Sequence, residues 1–210
     1  MKFKSMKRVI LLSCLFLVIV SCKKKALSYS DEVKQFQYKL NVEYSNPETS
    51  PLTKEDLQNF KSLSFFPIDK KYKVIASLQY TPNSPTMEMQ TTSTEIQLYK
   101  KFAVASFQLD GKQFKLNLYR SQELMNNPEY DDYLFLPFND LSNGKTTYGG
   151  GRFIDLKLPP KNAKTITIDF NKAYNPYCAY SHRFSCPIPP KENTLEVEIL
   201  AGVKAYKKED

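Results

Sequence analysis

Seven polar side chains in the second half of the chain have the types that binding or catalysis requires. An arginine offers a bidentate fork to a carboxylate or phosphate, and the glycine run 149–151 lets backbone amides approach a ligand closely. These residues follow predicted strands, so we expect a polar ligand-binding site at the ends of adjacent strands. The set is Asp140, Tyr148, Arg152, Asp169, Asn171, Tyr174 and Asn175.

The same residues also allow two other interpretations. In a structural one, Arg152 pairs with Asp140 or Asp169 in the interior, while Asn171 and Asn175 bind loop carbonyls. In a catalytic one, Asp140 and Asp169 act as a carboxylate pair for acid–base hydrolysis. The sequence leaves the binding, structural and catalytic interpretations open.

Two cysteines lie in a proline-rich stretch, residues 169–190, that cannot form a long helix or a central strand. Seven residues separate Cys178 from Cys186, and we predict a disulfide that stabilises the fold by about 2–3 kcal/mol. The alternatives are a metal site with His182 and a reactive thiol with His182 as its base. The spacing matches no standard zinc pattern, so we expect no metal.

Several chemistries are excluded by missing motifs. The sequence contains no Gly-x-Ser-x-Gly elbow and no dinucleotide fingerprint, and its single histidine excludes two-histidine metal motifs. We therefore expect no cofactor.

The first 21 residues are typical of a bacterial lipoprotein signal peptide. Basic residues within 2–8 precede an apolar stretch at 9–20, which is short for a bilayer span. The stretch ends in Ile-Val-Ser-Cys, which resembles the lipobox cut before its cysteine, here Cys22. An earlier match at Cys14 leaves almost no apolar run before it. We expect Cys22 to carry acyl chains such as palmitate, which anchor the protein to a membrane.

Lys23 follows the lipidated cysteine, where aspartate would favour inner-membrane retention, and no acidic export cluster follows it. We therefore expect an outer-membrane lipoprotein of the bacterial cell envelope on the periplasmic face. Removing the basic leader lowers the formal net charge from +8 to +4. With no nucleic-acid-binding motif in the chain, we expect no nucleic-acid partner.

The remaining chain predicts a mainly β fold. Thr53 is typical of a helix N-cap, another helix begins near Asp31, and Asp110-Gly111 marks a hairpin. Some eight strands follow, which favours a β-sandwich or a small, partly open β-barrel with one or two N-terminal helices packed at one end. We expect a tether at 22–30, a single domain at 31–203 and a charged tail at 204–210.

Several ordered motifs lie between about 50 and 202. They are FFPID at 65–69, LFLPFND at 134–140, YGGGRF at 148–153, DFNKAYNP at 169–176, CPIPP at 186–190, and Asn193. Together they resemble a bacterial family of unknown function, DUF1684. The resemblance implies a shared fold and a shared site, without an activity. We therefore expect a membrane-anchored binding or interaction module for a small molecule or an envelope protein, with a hydrolase and a structural envelope component as alternatives.

The anchor makes a direct prediction. Cys22→Ser removes the thiol that carries the lipid, so the protein should leave the membrane fraction and lose labelling by radioactive palmitate. Cys14→Ser is the matched control and should stay labelled and membrane-bound. Membrane retention of the Cys22→Ser protein would contradict the assignment.

Overall fold

The computed structural model describes residues 27–206. The predicted signal peptide, Cys22 and residues 207–210 lie outside the described residues. Within the described range, no helix is both long enough and apolar enough to cross a membrane.

Two α-helices open the domain. Helix α1 spans Tyr29–Ser45, and its N-cap Ser28 accepts a hydrogen bond from the backbone N–H of Asp31 at 3.2 Å. It therefore begins two residues before the predicted domain boundary, inside the expected tether. Helix α2 spans Lys54–Asn59 and is capped by Thr53, as predicted.

Eight strands form one sheet that curls into a half-barrel, which confirms the prediction of a mainly β, partly open barrel. The order β6-β5-β4-β3-β1-β7 joins antiparallel neighbours, while β2 pairs with β3 and the short β8 runs parallel to β5. The strands are β1 Lys73–Tyr80, β2 Thr86–Gln90, β3 Ile96–Leu109, β4 Lys112–Ser121, β5 Tyr133–Asp140, β6 Arg152–Lys157, β7 Thr165–Asp169 and β8 Thr194–Leu195.

Strand β3 explains much of the curl. Its first part pairs with β2 and its second with β1, and its register with β4 shifts between Lys101 and Ala103. Such a bulge bends a strand and increases its twist. The β3–β4 turn is the predicted Asp110-Gly111 hairpin, in which both residues adopt positive φ.

The two faces of β5 and β6 are both covered. Leu134, Leu136 and Ile154 point into the main core inside the half-barrel. Phe135 and Phe153, which alternate with them, are buried on the other face with Tyr99, Tyr119 and Met89. Coverage on both sides is why β5 reads as a nearly continuous apolar run.

Short 3₁₀ turns connect many of these elements. They are Lys70–Tyr72, Leu124–Asn126, Pro128–Tyr130, Phe170–Lys172, Tyr177–Ala179 and Lys191–Asn193. Beside the Tyr177–Ala179 turn, both helices pack on a separate apolar cluster that includes Tyr44, Leu52, Tyr180 and Val203.

The C-terminal segment, residues 199–205, packs against several of the loops and turns that connect the strands. The backbone N–H groups of Val203, Lys204 and Ala205 donate to the carbonyls of Ala173, Ser64 and Thr146 at 2.8–2.9 Å. Packing thus continues past residue 203, and the first residues of the predicted tail belong to the body. Gly202 has φ +76°, and a Cβ there would lie 2.5 Å from the Ala173 carbonyl oxygen.

This close approach gives a matched pair of variants. Gly202→Ala should lower the free energy of unfolding by about 3 kcal/mol, because it adds a clash with backbone to the strain of a positive φ. Gly144 has the same φ of +76° with open space around it, so Gly144→Ala should cost only about 1 kcal/mol. Urea denaturation measures both, and equal losses would contradict the proposed packing of Gly202.

Candidate functional site

Arg152 and Asp140 form an ion pair with no exposed side-chain surface. Arg152 Nη2 donates to Asp140 Oδ2 and to the carbonyl of Ile199, both at 2.8 Å, and Nη1 donates to the carbonyl of Ala201. Asp140 Oδ1 accepts from the backbone N–H groups of Ser142 at 2.9 Å and Ile199 at 3.1 Å. Burial lowers the pKa of Arg152, and Asp140 offsets part of that effect. This arrangement favours the structural interpretation of the pair.

Asp169 and Asn171 join the end of β7 to neighbouring segments. Asp169 Oδ1 accepts from the Tyr29 hydroxyl at 2.9 Å and from Asn171 Nδ2 at 3.1 Å. The Asn171 amide also binds the backbone of Asp69, accepting from its N–H at 3.0 Å and donating to its carbonyl at 2.8 Å. Asp169 is thus bound by Tyr29 and Asn171, whereas Asp140 is bound by Arg152. The catalytic pairing of the two carboxylates stays a prediction.

Asn175 and Tyr148 also make internal contacts. Asn175 is fully buried, and its Nδ2 donates to the carbonyl of Lys204 at 2.9 Å and to the Tyr180 hydroxyl at 3.2 Å. The Tyr148 hydroxyl lies 3.7 Å from Cys178 Sγ. Six of the seven candidate residues therefore hold segments of the chain together.

The two cysteines lie side by side as free, buried thiols. The backbone N–H of Cys178 donates to Cys186 Sγ at 3.1 Å, and the hydrogen bond with the Cys186 thiol lowers the pKa of Cys178. His182 is exposed in the turn between them. In the described part of the chain, no three His, Cys, Asp or Glu side chains are grouped to hold a metal ion. The disulfide stays a prediction.

Tyr174, the seventh candidate, lines a cavity of about 520 Å³ between α1 and the outer face of the sheet. Helix α1 supplies one wall, strands β3, β5 and β6 supply the floor, and the loop after β7 supplies the other wall. Its rings are Phe36, Tyr99, Phe135, Phe153, Tyr174 and Tyr177.

Asp155 places a carboxylate among these rings. Its Oδ1 accepts hydrogen bonds from the hydroxyls of Tyr174 at 2.7 Å and Tyr133 at 2.8 Å. Asp155 is exposed to solvent, while its neighbours partly desolvate the carboxyl group. This desolvation raises the pKa of the Asp155 carboxyl, and the two hydroxyls offset part of the increase.

A second carboxylate lies on the α1 wall. Glu43 lines the cavity and accepts a hydrogen bond from the Tyr177 hydroxyl. Neither Glu43 nor Asp155 forms an ion pair with any residue between 27 and 206. The one basic residue in the lining is Lys39, which is exposed.

The sequence motifs did not indicate Asp155, and the signal that could have done so is spread over two strands. Phe153 and Asp155 alternate with core residues along β6, so they share its outer face. Tyr133 and Phe135 do the same in β5, and Phe135 lies directly opposite Asp155. An acid that interrupts two aligned aromatic rows is a reasonable sign of a site, but recognising it requires the β5–β6 register.

A larger cavity of about 750 Å³ lies between α2 and the C-terminal segment. Its lining carries charges of both signs, including Glu55, Lys61, Lys145 and Lys204. Lys145 is already paired with Glu198 at 3.5 Å. Because charges of both signs line this cavity, it favours neither a cationic nor an anionic ligand. We therefore regard the aromatic cavity as the better candidate site.

These features define a half-barrel domain in which buried polar side chains bind the backbone of the loops. An aromatic cavity lies on the outer face of its sheet. The chain matches the family model described as "Protein of unknown function (DUF1684)" over residues 58–204, and it belongs to this family. No curated protein matches the sequence.

A solved structure shares the fold. It is the solution NMR structure of an uncharacterised protein from Haloarcula marismortui, which is 31% identical to this chain with a TM-score of 0.66. The match covers 84% of this chain and 94% of that one. The comparison supports the architecture and carries no statement of activity.

Proposed function

We propose that this protein is a lipid-anchored component of the bacterial cell envelope that binds a small molecule in the aromatic cavity. The observation that carries the proposal is the Asp155 carboxylate, held by two tyrosine hydroxyls inside a ring-lined cavity of about 520 Å³. Small-molecule sites have this size and this combination of apolar walls with a few fixed polar groups.

The construction of the cavity also suits binding. Phe135, Phe153 and Asp155 project from paired strands, and both carboxylates are oriented by hydroxyl donors. Groups fixed before a ligand arrives lose little conformational entropy on binding, which increases affinity. Tyr174 joins β6 through paired backbone hydrogen bonds with Phe153 at 2.9 and 3.0 Å, so this wall is fixed as well.

The leader supports the envelope location. The lipobox ending at Cys22 and the lysine after it favour an outer-membrane lipoprotein that faces the periplasm. Only residues 23–28 separate Cys22 from helix α1, and six residues reach at most about 20 Å when fully extended. The cavity wall formed by α1 would therefore remain close to the membrane surface. An oxidising periplasm would also favour the Cys178–Cys186 disulfide.

Native mass spectrometry of the full chain, extracted in detergent without reductant, tests the binding proposal. We expect an organic molecule retained by the wild-type protein and lost from Gln97→Trp, which fills the cavity from β3. Leu98→Trp is the matched control, since Leu98 is the next residue on the same strand, is exposed and does not line the cavity.

The same spectrum tests the disulfide, because oxidation removes two hydrogens, or about 2 Da.

A ligand retained equally by Gln97→Trp would place binding elsewhere. A wild-type protein that never carries an organic molecule would contradict the proposed function.

A further inference from the structure

We propose that the ligand of the aromatic cavity is a small organic cation, such as an amine or an alkylated ammonium, that binds between the rings and the Asp155 carboxylate. This inference rests on the proposed function, because it specifies the chemical class of the molecule bound at the same site.

Unbalanced negative charge is the first argument. Asp155 and Glu43 both line the cavity, and neither is paired with a basic residue in the described part of the chain. Their tyrosine partners donate hydrogen bonds but bring no positive charge. Glu43 also adds to the rise in the pKa of Asp155 through charge repulsion, so the two carboxylates interact. A cation placed near both would be attracted by both.

The orientation of the rings is the second argument. Tyr99 and Phe135 stack at 5.4 Å between centroids, while Phe153 stands edge-on to Phe135 at 4.8 Å. Tyr174 stands edge-on to Phe153 at 6.0 Å. The rings pack mostly against one another, and they give the cavity an aromatic floor and an aromatic wall. Their faces carry partial negative charge and attract cations, and aromatic sites for quaternary ammonium groups work in this way.

The remaining lining argues against an anion. Lys39 is the only basic side chain in the lining, and it is exposed on helix α1. An anionic ligand would have to displace water from the rings and then face two carboxylates. An uncharged apolar ligand could bind the rings but would bring no positive charge to the Asp155 carboxylate, whose two partners are neutral hydroxyls. A cation with apolar substituents can contact the rings through those substituents and the carboxylates through its charge.

Choline and 3,3-dimethylbutanol test the charge requirement, because they have nearly the same shape and differ by a quaternary nitrogen in place of a carbon. Titrations of the full chain in a neutral detergent, followed by calorimetry, should give at least ten-fold tighter binding of choline. Asp155→Asn should weaken choline at least ten-fold and leave 3,3-dimethylbutanol unchanged.

Two further variants keep the test decisive. Glu43→Gln should also weaken choline, without relying on the fold of the Asp155 variant. Asp132→Asn is the matched control, since Asp132 is paired with Lys157 outside the cavity, and it should bind choline normally. Equal affinities for the two probes, or no choline binding, would overturn the inference. The proposed function would then stand or fall separately on the molecule retained in native mass spectrometry.

Discussion

The buried pair of Arg152 and Asp140 is the interaction on which the rest of the structure depends. The C-terminal segment has few sheet partners, yet its carbonyls are buried and must be hydrogen-bonded. The Arg152 guanidinium binds those of Ile199 and Ala201, and Asp140 supplies the opposite charge. Removing one member of such a pair leaves an uncompensated buried charge, at a cost of about 3–5 kcal/mol. The segment held in this way then binds the carbonyl of Ala173, the residue before Tyr174. The ion pair itself does not line the cavity, although the segment that it stabilises contacts the loop that carries Tyr174.

Strand β6 contributes side chains both to the interior of the fold and to the cavity. Arg152 begins the strand and binds the interior, Ile154 packs in the main core, and Phe153 and Asp155 face the cavity. Because side chains alternate along a strand, any movement of β6 that disturbs the core also moves the cavity groups. A ligand site built on paired strands inherits their rigidity, and this favours recognition of one defined chemistry over adaptable binding.

Local signals in the sequence were sufficient for much of the fold. Thr53 caps α2 and Asp110-Gly111 turns the β3–β4 hairpin, since each depends on residues a few positions apart. The polar motif residues were also found, but their environment was not, because Arg152 meets Ile199 and Ala201 only after the chain has folded. Asp155 was missed for the same reason. Its significance comes from Tyr133 across the register and from Tyr174 on a distant loop, and no local pattern encodes those contacts.

We infer that Arg152 stabilises the fold, whereas the cavity that contains Asp155 binds the ligand. Arg152→Lys tests it most directly, because lysine keeps a charge near Asp140 but cannot bind two carbonyls and a carboxylate as a planar fork. Its urea denaturation and its choline affinity should be measured on the same preparation. We predict that the free energy of unfolding falls by about 3 kcal/mol, while the affinity of the folded protein for choline is unchanged. Wild-type stability combined with lost choline binding would place Arg152 in the ligand site and contradict this account.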